Sequence, residues 1–223
     1  MQKLIIPSIN CQSFEEAKKK ILASREFLQV PGYLHIDVAD GGFSPISIWG
    51  DFEEFRNLIS ENDWLRKINF EIHLMISDPE RVFSGWVESG VSRIIVHSEA
   101  ISDLDLIINK CKQFDVTVMV AIKPETPVTS LKKYFSKIHH FQILSVAPGW
   151  SGQIIKPDMV EKVANLRKLN SDAIIEVDGG VNLENIKSLD DAGANLFVSS
   201  SCIWNARDPK IAFMNLNNIV NKD

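Results

Sequence analysis

The chain has 223 residues, of which 45% are hydrophobic and 24% charged, and carries a formal net charge of -5. This size and composition suit one α/β domain spanning residues 1–223, since α/β barrels reach such lengths without splitting. The acidic balance, with no basic run interleaved with aromatics, excludes nucleic acid as the expected partner, and no apolar stretch reaches the ~18–20 residues of a membrane helix.

The opening M-Q-K-L-I-I-P-S has too short an apolar run for a signal peptide and reads as a first strand, Lys3–Pro7. Ser13–Leu28 follows as an amphipathic helix, with Ser13 and Glu16 at capping-box spacing. Further strands are expected at Tyr33–Asp37, Asn69–Leu74, Arg93–His97, Thr117–Ile122, Phe141–Val146, Ala173–Asp178 and Leu196–Ser199. Helical patterns lie between them at Pro79–Gly90, Leu104–Phe114, Pro127–Lys137, Pro157–Leu169 and Leu183–Ala192. The strands are nearly continuous apolar runs, as in a parallel sheet covered on both faces. Eight such units without a linker predict a closed (β/α)8 TIM barrel. An open doubly wound sheet is the alternative, but the turn Ser8-Ile9-Asn10-Cys11 lacks its glycines. Cys11, Cys111 and Cys202 are odd in number and widely spaced, which reads as reduced thiols of a cytoplasmic protein. Cys202 is better read as a small buried filler than as a nucleophile.

Polar residues at the ends of three strands carry the chemistry. His35 and Asp37 are two apart and share a strand face, while His73 and Asp178 close two other strands. Imidazole plus carboxylate suits one divalent ion of zinc, iron(II), manganese or cobalt. Two of the four ligands are also carboxylates able to move protons, and a metal flanked by two acid/base groups equips a site to shift a proton beside a carbonyl. Each residue alone would be an ordinary polar side chain at a strand end; the constellation makes the site. Active sites of (β/α)8 barrels form at these carboxyl ends.

Three later segments offer backbone N–H groups: Pro148-Gly149-Trp150-Ser151-Gly152, Gly179-Gly180-Val181 and Ser199-Ser200-Ser201. Loops in these positions often hold a phosphate, and with no Lys or Arg among them the anion would rest on amides and hydroxyls.

From Ile6 to about Pro209 the sequence resembles the ribulose-phosphate 3-epimerase family. The resemblance rests on P-S-I at Pro7–Ile9, H-I-D-V-x-D-G-x-F at His35–Phe43 and H-L-M at His73–Met75. It continues in V-H-x-E-A at Val96–Ala100, P-G-x-x-G-Q at Pro148–Gln153 and E-V-D-G-G at Glu176–Gly180. The resemblance implies a metal-dependent barrel of carbohydrate metabolism that interconverts ribulose 5-phosphate and xylulose 5-phosphate. It implies His35, Asp37, His73 and Asp178 as ligands, Asp37 and Asp178 as the acid/base pair, and Ser8 and Met75 as lining. Gly149, Gly152, Gly180 and Ser201 would hold phosphate, and Trp150, Ser151, Gly179 and Ser200 are expected to bind substrate with them. The partner is then a small sugar phosphate, with a homo-oligomer left open. The chain departs from the family pattern at Ala39, Ile46 and Ala147, and at Ser199-Ser200-Ser201, where A-G-S is usual. The catalytic set is intact while its wall is altered, so allulose 6-phosphate or another ketose phosphate is the next candidate.

Other readings attach to single residues. Lys123, at the end of the fifth strand, would serve a Schiff-base aldolase, although an intact metal set argues against that chemistry. A sugar-phosphate-binding protein without turnover is the non-enzymatic alternative. His97 closes the fourth strand and is expected to bond a neighbouring strand end, and His139 and His140 diverge. Asp40 is expected to order its loop, and Trp150 to cover the site or pack on the rim.

Overall fold

The computed structural model describes residues 3–221. Packing divides them into two compact units, 8–118 and 3–7 with 119–221.

Strand β1 (Leu4–Ile9) contributes Ser8 and Ile9 to the first unit, where they pair in parallel with His35 and Ile36 of β2 (Tyr33–Asp40). Between them runs α1 (Phe14–Ala23). The Ser13 hydroxyl accepts from the Glu16 N–H at 3.4 Å, and Ala17 and Ile21, one turn apart, are buried. The helix stops short of the expected Leu28. The Ser24 hydroxyl donates to the Ile21 carbonyl at 2.6 Å, and the chain tightens into a 3-10 turn, Ser24–Glu26. A two-residue strand β3 (Ser47–Ile48) pairs antiparallel with the end of β2, carrying β2 to Asp40 rather than Asp37. Then follow α2 (Phe52–Ser60), β4 (Asn69–Met75), α3 (Phe83–Glu88), β5 (Arg93–His97) and α4 (Leu104–Gln113). Asp51 caps α2 by accepting from the N–H groups of Glu53 and Glu54 at 2.8 and 2.9 Å. This seats Phe55 in the core, edge-on to Phe70 of β4 at 5.0 Å and near Trp86 of α3 at 5.5 Å.

In the second unit β6 (Thr117–Ile122), β7 (His140–Leu144), β8 (Ile174–Asp178) and β9 (Leu196–Ser199) continue the parallel pattern, and Leu4–Pro7 of β1 pair with β9. The helices are α5 (Met159–Leu169), α6 (Ile186–Asp191), α7 (Ser201–Trp204) and α8 (Pro209–Val220). The helix expected at Pro127–Lys137 is a 3-10 segment, Val128–Tyr134. Its buried residues Val128, Leu131 and Tyr134 recur every third position, the period of a 3-10 rather than an α-helix.

The strand order is β1-β9-β8-β7-β6-β5-β4-β2-β3, with β1 also paired to β2. Setting aside the short antiparallel β3, the fold is a (β/α)8 barrel, as the alternation in the sequence predicts. Among the described residues no helix is long and apolar enough to cross a membrane.

The thiols differ in environment. Cys11 and Cys111 are buried and Cys202 is half-buried, so the expected filler at 202 is more open than foreseen. Burial pushes the Cys111 thiol up to about 12; it also raises Cys11, outweighing the nearby Lys20. A colorimetric disulfide reagent at neutral pH should therefore label Cys202 first in the native protein. Cys202→Ser should remove that fast phase, with the buried pair reacting only on unfolding. Fast labelling that survives Cys202→Ser would contradict this ranking.

Candidate active site

Register decides which side chains meet. Across β2 and β4, His35 lies opposite Glu71 and Asp37 opposite His73; across β4 and β5, Glu71 lies opposite Arg93. Residues opposite each other in parallel strands point to the same face, so these five polar groups share one buried surface. Asp37 sits between the two imidazoles. Its Oδ1 is 3.2 Å from His35 Nε2 and 3.2 Å from His73 Nδ1. Its Oδ2 accepts from Ser8 Oγ at 2.9 Å and from Asn10 Nδ2 at 3.0 Å. Ser8 thus reaches the cluster by anchoring this carboxylate, while Asn10 is a contact the sequence did not suggest. Burial pushes the Asp37 carboxyl up, but the adjacent imidazoles and their hydrogen bonds outweigh it and hold it well below the usual carboxylate range.

His35, Asp37 and His73 each offer one ligand atom, and these atoms lie within 4.8 Å of one another. Two imidazoles and a carboxylate, buried but polar, fit a borderline divalent ion better than calcium or magnesium. A buried His/Asp cluster able to bind a metal is therefore present.

Asp178 ends β8 and is likewise buried. Gln142 of β7 lies opposite Glu176 in the register and donates to Glu176 Oε1 at 3.0 Å and to Asp178 Oδ2 at 3.4 Å. The Asp178 backbone carbonyl accepts from Ser145 N at 2.7 Å and from Ser145 Oγ at 2.7 Å. The strand end that presents this carboxylate is fixed from both main chain and side chain.

Met75 is buried in an apolar cluster with Ala39 and Ile48, against which Phe43 and Ile46 pack. The departures at Ala39 and Ile46 thus belong to one hydrophobic wall. Asp40 orders its loop as expected, accepting from the N–H groups of Gly42 and Phe43 and, at 2.8 Å, of Ser77 after β4. Lys123 directly follows β6 and is half-buried, its carbonyl accepting from Lys162 Nζ at 2.7 Å.

The donor-rich loops after β7, β8 and β9 border an open cavity of about 520 Å³. Gly152, Gly180 and Ser201 line it, together with Gln153, Asn182 and Cys202. No Lys or Arg is among its lining residues, and Glu184 is the charged side chain there. Gly149, Trp150, Ser151, Gly179 and Ser200 lie outside this wall. Gln153 Nε2 closes the loop after β7 by donating to the carbonyls of Ala147 and Trp150 at 2.7 and 2.8 Å. Trp150 remains 55% exposed. Gly180 has a φ of +67°, and a Cβ there would stand 2.6 Å from the Ile155 nitrogen. Only glycine combines the left-handed backbone with so close an approach.

A parallel barrel with a buried imidazole–carboxylate cluster and a cavity free of basic side chains belongs to the (β/α)8-barrel enzymes. Solved structures with the same fold include 3-hexulose-6-phosphate synthase, at a TM-score of 0.70 and 15% identity over 97% of this chain and 99% of that one. Another is KGPDC from Streptococcus mutans, at a TM-score of 0.73 and 11% identity over 99% and 98%. Within that class, residues 4–204 match the model of the Ribulose-phosphate 3 epimerase family, and the chain belongs to this family. It is an isomerase, an epimerase acting on carbohydrates. The chain is 30% identical to the ribulose-phosphate 3-epimerase of Schizosaccharomyces pombe over 100% of its own length and 96% of the relative's. It is 32% identical to that of Eremothecium gossypii over 94% and 90%, and 30% to that of Bacillus subtilis over 80% and 82%.

Gly180→Ala should lower thermal stability, by at least about 1–2 kcal/mol from the left-handed backbone alone. Differential scanning calorimetry would measure it, and an unchanged Tm would show that the loop relaxes freely.

Proposed function

We propose that this chain is a metal-dependent epimerase that inverts carbon 3 of D-ribulose 5-phosphate to give D-xylulose 5-phosphate. The observation that carries this reading is the buried His35–Asp37–His73 cluster in a chain of this family. In the proposal residues 1–223 act as one domain, and Asp178 joins the cluster as fourth ligand. All four side chains are buried at or near the carboxyl ends of their strands.

His35, Asp37, His73 and Asp178 would hold the divalent ion, which would supply positive charge to stabilise a developing oxyanion. The chain's own groups do the rest. Inverting a carbon next to a ketone requires a proton to leave one face and another to arrive on the opposite face. Asp37 and Asp178 divide that task, one carboxylate taking the proton and the other, as its acid, returning one. Ser8 and Asn10 restrain the Asp37 carboxylate and Gln142 that of Asp178, so neither base has to reorganise during transfer. The wall of Met75, Ala39 and Phe43 keeps water from the intermediate. The phosphate rests in the cavity of Gly152, Gly180 and Ser201, with Gly149, Trp150, Ser151, Gly179 and Ser200 shaping the loops around it.

Metal-replete protein incubated with ribulose 5-phosphate in deuterium oxide should form xylulose 5-phosphate labelled at carbon 3. Absence of both product and exchange would move the assignment to another ketose phosphate, with allulose 6-phosphate tested next.

The two-base division also predicts mutant behaviour. Asp37→Asn and Asp178→Asn, each confirmed to contain metal, should lose net inversion by about 10²–10⁴-fold. Either variant retaining one base should still exchange the proton on that base's face. Inversion at the parent rate in a metal-loaded variant would reject the mechanism.

A further inference from the structure

A histidine ligand binds metal through a nitrogen that carries no proton, so its other nitrogen holds the proton and calls for an acceptor. Both predicted histidine ligands have such a partner, and the two partners differ. His35 presents Nε2 toward Asp37, while its Nδ1 lies 2.7 Å from Glu71 Oε1. The other oxygen of Glu71 accepts from Arg93 Nη1 at 2.5 Å. His35, Glu71 and Arg93 are successive members of one row across β2, β4 and β5. His73 is turned the other way. Its Nδ1 lies toward Asp37, while its Nε2 is 2.8 Å from His97 Nε2. Two ring nitrogens at that distance share one proton. With it on His73, the Nδ1 facing Asp37 is bare. With it on His97, that Nδ1 would be protonated and unable to ligate. His97 Nδ1 in turn is 3.4 Å from Glu99 Oε2, within ion-pair reach but not in hydrogen-bond geometry.

We propose that Glu71 with Arg93, and His97, are positioning residues that set opposite tautomers, so that His35 ligates through Nε2 and His73 through Nδ1. This rests on the metal centre of the preceding reading and adds the residues that orient it. Each partner takes the proton of its ligand's outer nitrogen, on the side of the ring turned away from Asp37. Arg93 keeps Glu71 from serving as a competing ligand, because both of its oxygens are engaged. His97 thereby gains a role that its strand-end position alone only hinted at.

The test uses the zinc-loaded full chain labelled with ¹⁵N-histidine. Long-range nitrogen–proton spectra should show Nδ1–H for His35 and Nε2–H for His73, with zinc on the opposite nitrogen of each. Equilibrium zinc affinity, read by competition with a chromophoric chelator, supplies the second measurement. Glu71→Gln should weaken zinc binding about 10–100-fold, the usual effect of losing an outer partner. His97→Phe should do likewise, while His97→Gln, which keeps an acceptor, should recover most of the loss. Zinc on the other nitrogen of either ring, or unchanged affinity in both Glu71→Gln and His97→Phe, would overturn the proposal and leave the metal centre standing. A parent protein that binds no zinc at these histidines would reject the metal centre and this proposal together. Should a variant fail to fold, the spectra of the parent decide alone.

Discussion

Two opposite charges removed from water survive in a core only when each meets the other in good geometry, and Glu71 and Arg93 do so across adjacent strands. Their pairing depends on a register that also places His35 opposite Glu71 and His73 opposite Asp37. A one-residue slip of β4 would send Glu71 and His73 to the helix-facing side and bring apolar neighbours inward. The same slip would leave Arg93 buried without its carboxylate, a loss on the order of 3–5 kcal/mol. Stability and donor geometry are thus tied to one alignment, and the site cannot drift without destabilising the strands that carry it.

The molecule divides its polar work between strands and loops. Groups that must hold an angle or a proton sit on β2, β4, β5 and β8, where backbone pairing fixes them. The cavity beside Gly180 is built from loops, and its shape comes from local closures: Gln153 back to Ala147 and Trp150, and Asn185 Nδ2 to the Gly180 carbonyl at 2.8 Å. The buried polar cluster is thus on the part that backbone pairing holds rigid, and the cavity is on loops, which accept substitution more readily. The altered wall residues are an exception on the strand side: Ala39 of β2 and Ile46 pack on Met75 of β4 and make none of the hydrogen bonds of Asp37.

Much of this was legible in the sequence because strand periodicity carries side-chain direction. The two-residue spacing of His35 and Asp37 put both on one face, and strand ends in a parallel barrel are where chemistry collects. Glu71 and Arg93 were missed because, taken singly, each only interrupts or borders an apolar run. Their meaning lies in which strand positions face each other, which no local pattern encodes. Asn10 escaped for the same reason, as its partner is 27 positions away. The helices α2 and α8 were also missed, although Asp51 and Asp208 before Pro209 are cap signals and α2 is strongly amphipathic. The need for glycine at 180 follows from the path of residues 153–155, a tertiary constraint invisible in the D-G-G triplet.

The chain carries five tryptophans, and Trp150 alone among them is exposed, on the loop whose neighbours Gly152 and Gln153 line the cavity. Trp86 is enclosed, and Trp49, Trp64 and Trp204 are partly covered. An indole in water emits at longer wavelength and meets soluble quenchers more often than a buried one. The loop therefore carries its own optical reporter. Acrylamide quenching of the red edge of the emission band weights Trp150 over the other four, so the state of the loop beside the cavity can be followed without a label.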